Sequence, residues 1–188
     1  MPFLRPTKSP RIIQYFGQNL VNFYAQLGLK GHNGVDLEAP TSEPVYFNWI
    51  KNYGEISIGE VVNVSDSWTK GLGVTILIKD EDGYFKLVFW HFKSYCVKIG
   101  DTVKTGQLLG YADNSGMSTG SHLHFGEYYS NVYGNTLQSN NGFGGALDPM
   151  PKYIDIYVID YVNMLKKKVG IMQQLLNKMI ELYNIIKK

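Results

Sequence analysis

Most of the usual ways to tie a small chain together, or to give it an obvious partner, are missing from this sequence. A single cysteine among 188 residues rules out an internal disulfide. That residue, Cys96, sits in the apolar run Tyr95-Cys96-Val97 and is expected to be a small buried hydrophobe rather than a nucleophile. Charged residues make up only 18% and the formal net charge is +2. No basic stripe is concentrated in the first 150 residues, so nothing argues for nucleic acid as a partner. No stretch has the length and apolarity of a transmembrane segment. Met1 to Pro6 carries two early prolines and no apolar core, so no signal peptide is expected. A target outside the cell would then need another route of delivery.

What is abundant is apolar and aromatic. Apolar residues reach 44% and aromatics 14%, with 14 Tyr and 20 Gly. That combination suits short strands and tight turns, although exposed Tyr also serves where a polymer is gripped. From about Ile12 to Tyr129 the pattern alternates with period two. Ile56, Ile58, Glu60 and Val62 share one face, with Gly59 a bulge or a point of close approach. Val74, Ile76 and Ile78 lead into the turn Asp80-Glu81-Asp82-Gly83, and Tyr84 to Phe92 returns as a hairpin partner. Between Val97 and Gly110 two glycine turns predict a sharply folded strand pair. Asn131 to Asp148 is irregular, and Pro149 and Pro151 close the β region.

Beyond Pro151 the period changes. Val158, Val162, Leu165, Val169, Met172, Leu176, Met179, Tyr183 and Ile186 recur at spacings of four and three, a heptad stripe. Three arrangements fit: a helix folded back on the β domain, a self-associating coiled coil, or a membrane-surface helix marked by Lys166-Lys167-Lys168. The expected architecture is therefore mainly β and antiparallel over residues 1–151, followed by a long amphipathic C-terminal helix over 152–188.

The chemistry lies in four histidines: His32, His91, His122 and His124. In extended backbone, residues an even number apart share a face, so His32 and Asp36 point the same way. An imidazole nitrogen and a carboxylate oxygen are ordinary zinc ligands. The string His32-x-x-x-Asp36 is weak alone. His122-Leu123-His124 is stronger: both imidazoles enter one cleft while Leu123 turns toward the core. One can ligate a metal while the other transfers protons. His91, after the aromatic run Phe85 to Trp90, fits a packed edge histidine or a third functional one. Three protein ligands with an open position belong to a catalytic zinc site, and one cysteine cannot build a thiolate-rich structural site.

His32-x-x-x-Asp36 with His122-x-His124, in the context Gly31-His32-Asn33-Gly34-Val35-Asp36-Leu37, Trp90-His91-Phe92, Val97 to Gln107 and Asn114 to Phe125, resembles the M23 zinc endopeptidases. These are the lysostaphin-like or LytM-like peptidases that cut peptidoglycan peptides. The likeness runs in order from Ile12 to Pro151. It implies an antiparallel β fold with a narrow groove over one Zn2+, held by His32, Asp36 and His124. By position, His122 is the general base and His91 the catalytic histidine that steadies the transition state. The substrate implied is a peptidoglycan stem or cross-bridge peptide. Relatives that have lost ligands act as binding or regulatory modules, but here the ligand set is complete. A third reading is a virion or assembly component carrying a wall-cutting head, with homo-oligomers formed through the helix. Delivery to the cell wall would then be by phage lysis or virion, or by non-classical export. The sequence departs from the family at Ser121 and Gly126, where Pro and Glu are usual, and at bulky Trp90. Tyr46 to Tyr53 is longer and more aromatic than the family's turn, and is expected to line the groove or to add core.

Overall fold

The computed structural model describes residues 2–20, 23–51 and 55–186. Its strands are β1 (Phe3–Arg5), β2 (Ile12–Gln14), β3 (Val35–Glu38), β4 (Pro44–Tyr46), β5 (Ile58–Ser67), β6 (Gly71–Asp80) and β7 (Gly83–Tyr95). They continue with β8 (Thr102–Lys104), β9 (Leu108–Ala112), β10 (His122–Ser130), β11 (Ala146–Leu147) and β12 (Tyr153–Tyr157), before a single helix α1 (Val158–Ile186). The main sheet runs β2-β3-β10-β7-β6-β5-β8, with β9 bridging β7 to β4 and β11 on β10. Every pairing in it is antiparallel. This is the mainly β, antiparallel architecture that the alternating pattern predicts.

The centre is β10. Leu123 and Phe125 are fully buried on one side, while His122 and His124 take the other. The Phe125 ring packs 4.8 Å from Phe3 and 5.2 Å from Phe89, within one core that also holds Val35, Leu37, Ile76 and Leu87. Each such side chain contributes roughly 1.5–3 kcal/mol on burial. The site therefore stands on a rigid apolar floor.

Several sequence expectations change here. The face Ile56, Ile58, Glu60 and Val62 looks outward, Ile58 being 61% exposed, while Gly59 and Val61 turn inward. A Cβ on Gly59 would lie 2.5 Å from Ile76 Cγ2, so this glycine marks close approach of two strands. β8 and β9 do not pair with each other; β8 joins β5, and β9 joins β4 and β7. Cys96 is exposed rather than buried, because the strand has left the sheet there and Val97 turns into the core instead. Phe47, Asn48, Trp49 and Ile50 are buried, and Trp49 packs on Phe85 at 5.8 Å. The aromatic segment is thus extra core, not a wall of the groove; Asn52 and Tyr53 lie outside the described residues.

The β body also runs past Pro151. β12 pairs in parallel with β1, and the Tyr153 ring lies 5.3 Å from Phe3. The helix starts at Val158 rather than at 152. Its first turns close a small core in which Leu4, Ile50, Val158 and Tyr161 are buried, with Leu165 packed against it. From Lys166 to Asn184 every residue is exposed, so the helix does not fold back on the β body. No described helix is long and apolar enough to cross a membrane.

A chain ending after Leu165 should melt within about 3 °C of the full-length chain. One ending at Pro151 loses β12, Val158 and Tyr161 and should melt at least about 8 °C lower. Circular dichroism melts of the two truncations check this; equal melting would mean that β12 and the first helical turns stabilise nothing.

Candidate metal centre

Register builds this site. On β10, His124 stands directly opposite Asp36 of β3 on one side and Trp90 of β7 on the other, and Gly73 of β6 follows Trp90. Four strands thus carry one rung, Asp36-His124-Trp90-Gly73, whose side chains share a face at neighbour spacing. The Trp90 ring stacks on the His124 imidazole, 4.7 Å between centroids and 8° from parallel. Gly73 leaves room for it, since a Cβ there would come 2.7 Å from Trp90 Cδ1. Gly34 does the same at the other edge: a Cβ would lie 2.7 Å from His124 Cε1 and 2.5 Å from the Phe125 carbonyl.

His32 arrives from a loop fixed by backbone bonds, its N–H to the Gln18 carbonyl and its carbonyl accepting from Gly17. Three donor atoms then converge. His32 Nε2 lies 2.9 Å from His124 Nδ1 and 3.1 Å from Asp36 Oδ1, and His124 Nδ1 lies 3.0 Å from the same oxygen. Tetrahedral zinc with bonds of about 2.0–2.2 Å separates its donors by roughly 3.3–3.5 Å, so a few tenths of an ångström suffice.

The protons make the stronger argument. His32 Nδ1 faces the Tyr15 carbonyl at 3.3 Å and must donate to it, which leaves a bare lone pair on Nε2 in the neutral ring. That lone pair faces a carboxylate that can only accept. Two buried acceptors this close need a positive group between them, either the Nδ1–H of His124, which lies within 3.0 Å of both, or a bound cation. Asp36 is 7% exposed. Burial raises its pKa, but the three imidazoles that face it, His122, His124 and His32, outweigh that and hold it well below the ordinary carboxylate range. It is therefore an anion at any pH where the protein works. His124 is pushed down by burial, against the pull of Asp36, and is readily the neutral ligand form.

The two other histidines flank this centre. His91 sits at a bulge: Leu72 pairs with Phe92 and Gly73 with Trp90, so His91 is the extra residue, at φ +68°. Without the bulge Trp90 and His91 would face opposite sides of the sheet; with it both enter the cleft. Ser115 meets the groups the bulge leaves over. Its hydroxyl accepts from Leu72 N–H at 3.0 Å and donates to the Phe92 carbonyl at 2.6 Å, and its carbonyl accepts from His91 Nδ1 at 2.7 Å. His122 Nδ1 likewise donates to the Gly120 carbonyl at 2.7 Å. Both rings are thereby fixed with Nε2 free to take a proton. Burial lowers the His91 pKa to about 4, helped by His122. For His122, burial is outweighed by the hydrogen bond and charge of Asp36, 3.5 Å away, and the pKa rises.

All five predicted site residues therefore line one cleft of about 830 Å³. Its walls include Leu20, Phe23, Tyr24, Leu27 and Leu29, and Thr69-Lys70 with Met117-Ser118-Thr119. Sequence reasoning missed Tyr24, on a short 3-10 turn, whose ring lies 5.8 Å from His32 and whose hydroxyl accepts from Gln14 at 2.8 Å. Burial, then the charge of Asp36, pushes its phenol up to about 12. It missed Ser115 as well. Neither residue sits in a periodic run that would have marked it.

Comparison with known proteins agrees with this geometry. A family model described as peptidase family M23 matches residues 30–136. The chain is 34% identical over 128 residues to the glycyl-glycine endopeptidase ALE-1 of Staphylococcus capitis, covering 66% of this chain and 30% of that protein. It is 33% identical over 94 residues to the peptidoglycan DD-endopeptidase ShyB of Vibrio cholerae, covering 50% and 20%. The crystallised catalytic domain of lysostaphin from Staphylococcus simulans superposes with a TM-score of 0.56 at 27% identity, covering 75% of this chain and 90% of that one. The chain spans less than a third of the length of either curated relative.

Gly34→Ala should weaken divalent-metal affinity about 10–100-fold by tilting the His124 ring and displacing the Phe125 carbonyl, and should lower the melting temperature as well. Competition with a chromophoric chelator measures it. Wild-type affinity in that variant would show that the His124 edge contact does not set the ligand's orientation.

Proposed function

The chain belongs to peptidase family M23, and on that premise we propose that it is a zinc endopeptidase that hydrolyses peptide bonds of bacterial cell-wall peptidoglycan. The observation that carries the reading is the convergence of a lone-pair nitrogen of His32, a buried carboxylate and His124 Nδ1, beside two further imidazoles with free Nε2 atoms. His32, Asp36 and His124 would hold one zinc ion. When bound, zinc supplies Lewis acidity, worth several kcal/mol of charge stabilisation, and lowers the pKa of water toward about 7.

The chain's own side chains would do the rest. His122 is the stronger base of the flanking pair, and its Nδ1–H is already committed to Gly120, so Nε2 takes the proton from the attacking water. The protonated ring then returns it to the departing amine. His91 has the same tautomer and stays neutral, so its Nε2 offers a lone pair rather than an N–H. In that form it orients water by accepting a hydrogen bond. The resemblance gives it a stabilising role on the transition state, which would need a charged ring. Tyr24 keeps its proton, and because its hydroxyl accepts from Gln14 the O–H can donate into the cleft.

The exposed length of α1 supports assembly of several copies. Past Leu165 it extends about 30 Å. At 100° per residue, Val169, Ile171, Met172, Leu176, Met179 and Tyr183 lie with their neighbours in an apolar arc of roughly 180°, and Lys166, Lys167, Gln174 and Lys178 lie opposite. That arc exceeds the narrow seam of a two-stranded coiled coil and suits a bundle of three or four helices.

Treatment with phenanthroline should abolish product release from purified peptidoglycan, and one equivalent of zinc should restore it. His122→Ala should keep zinc and lose at least about 100-fold in turnover, whereas His124→Ala should lose the metal. Elemental analysis and product mass spectrometry read the two separately. Undiminished cleavage after metal removal would sink the zinc mechanism, and an empty site in His122→Ala would overturn the division of roles. Light scattering should give a trimer or tetramer for the full chain and a monomer for the chain ending at Leu165; a full-length monomer removes the assembly role.

A further inference from the structure

A second hollow opens beside the metal cleft, about 430 Å³ in volume. It shares Asn33, Lys70 and Trp90 with the cleft, so Trp90 is the divide between them. Its other side is formed by Lys86, Asn63, Tyr128 and Thr136. Two lysines line it and no carboxylate does.

Both ammonium groups are held in place over aromatic faces. Lys70 Nζ lies 5.3 Å from the Trp90 ring centroid. Lys86 Nζ lies 5.3 Å from that of Tyr128 and donates to Thr136 Oγ1. A cation–π contact orients a lysine but does not neutralise it. Burial, and then the charge of Lys70, pulls the Lys86 pKa down, as expected of two like charges facing one partly dry space. Neutral polar groups line the space as well: Asn63, and Asn33, which donates to the Tyr128 hydroxyl at 3.2 Å. An anion entering here would relieve the repulsion and gain charge-assisted hydrogen bonds from both sides.

We propose that this hollow is a subsite for a free carboxylate of the peptide substrate, gripped by Lys70 and Lys86 while the scissile bond lies over His124 on the far side of Trp90. The inference rests on reading the cleft as a peptide-cleaving site, and a carboxylate is the anion that a peptide carries. It sets the preferred substrate apart from an uncharged glycyl bridge: the enzyme favours a peptide with an acidic group close to the cut.

The test uses the zinc-loaded full chain with two dye-labelled stem-type peptides, identical except that one carries a free carboxylate and the other its carboxamide. Fluorescence anisotropy before turnover gives Kd; mass spectrometry of products gives cleavage independently. The carboxylate peptide should bind about tenfold tighter, the worth of one charge-assisted contact. The preference should shrink as salt is raised. In the double variant Lys70→Gln, Lys86→Gln the ratio of the two Kd values should fall to about one. Lys70→Gln alone, at an exposed position, should lower it about threefold, which keeps the test alive should the double variant fold poorly. Equal binding of both peptides by the wild type, or a preference that survives the double variant, overturns the proposal. A lysine-dependent preference without any cleavage would uphold the subsite and count against the endopeptidase reading instead.

Discussion

Everything in this molecule is arranged around one buried carboxylate. Asp36 lies within 3.5 Å of three imidazoles, in a place where an uncompensated anion would be costly. The sheet bears that arrangement because the residues beneath it are rigid. Leu37, Leu123, Phe89 and Phe125 are fully buried under the rung that carries Asp36, His124 and Trp90. A loose floor would let Asp36, His32 and His124 drift apart. The cluster stays closed because the core does not give.

How far this was legible depends on which features are periodic. Alternation along β10 makes the pairing of His122 with His124 visible, and the same rule places His32 and Asp36 on one face. The hairpin of β6 and β7 is legible too, from its apolar alternation and its Asp-Gly turn. What alternation cannot foresee is a break in itself. His91 reaches the cleft only through a bulge at positive φ, stabilised by Ser115 from 24 residues away. Trp90 looks in sequence like a bulky intrusion into the groove, yet in the sheet it stacks on the His124 ring and restrains it. The stacking depends on Gly73, two strands from His124, and only register links those residues.

The segments misjudged share another cause: local composition was asked to decide a tertiary question. Tyr95-Cys96-Val97 is apolar in sequence, but the chain crosses there from sheet to turn, and only Val97 finds the core. For Phe47, Trp49 and Ile50 composition left a groove wall and added core equally open, and burial decides for the core. Pro151 resembles a terminator, yet a strand follows it because β1 offers an unpaired edge, and parallel pairing across nearly the whole chain length leaves no local trace.

That closing pair has a mechanical consequence. β12 is fastened to β1, and its neighbour Val158 is fully buried against Leu4 and Ile50, so the base of α1 is set into the body while the rest stands clear. A helix attached by a loop would carry no orientation; one grown directly from a paired strand does. The face that carries Asp36, His124 and Trp90 belongs to β3, β10 and β7, whereas the anchorage of α1 belongs to β1, β12 and the segment after β4. The two regions therefore draw on different edges of the same core, joined by Phe3, which touches both Phe125 and Tyr153, and by the ion pair of Lys152 with Glu127 on β10. Phe3 and that ion pair join the base of α1 to the strand that carries His122 and His124.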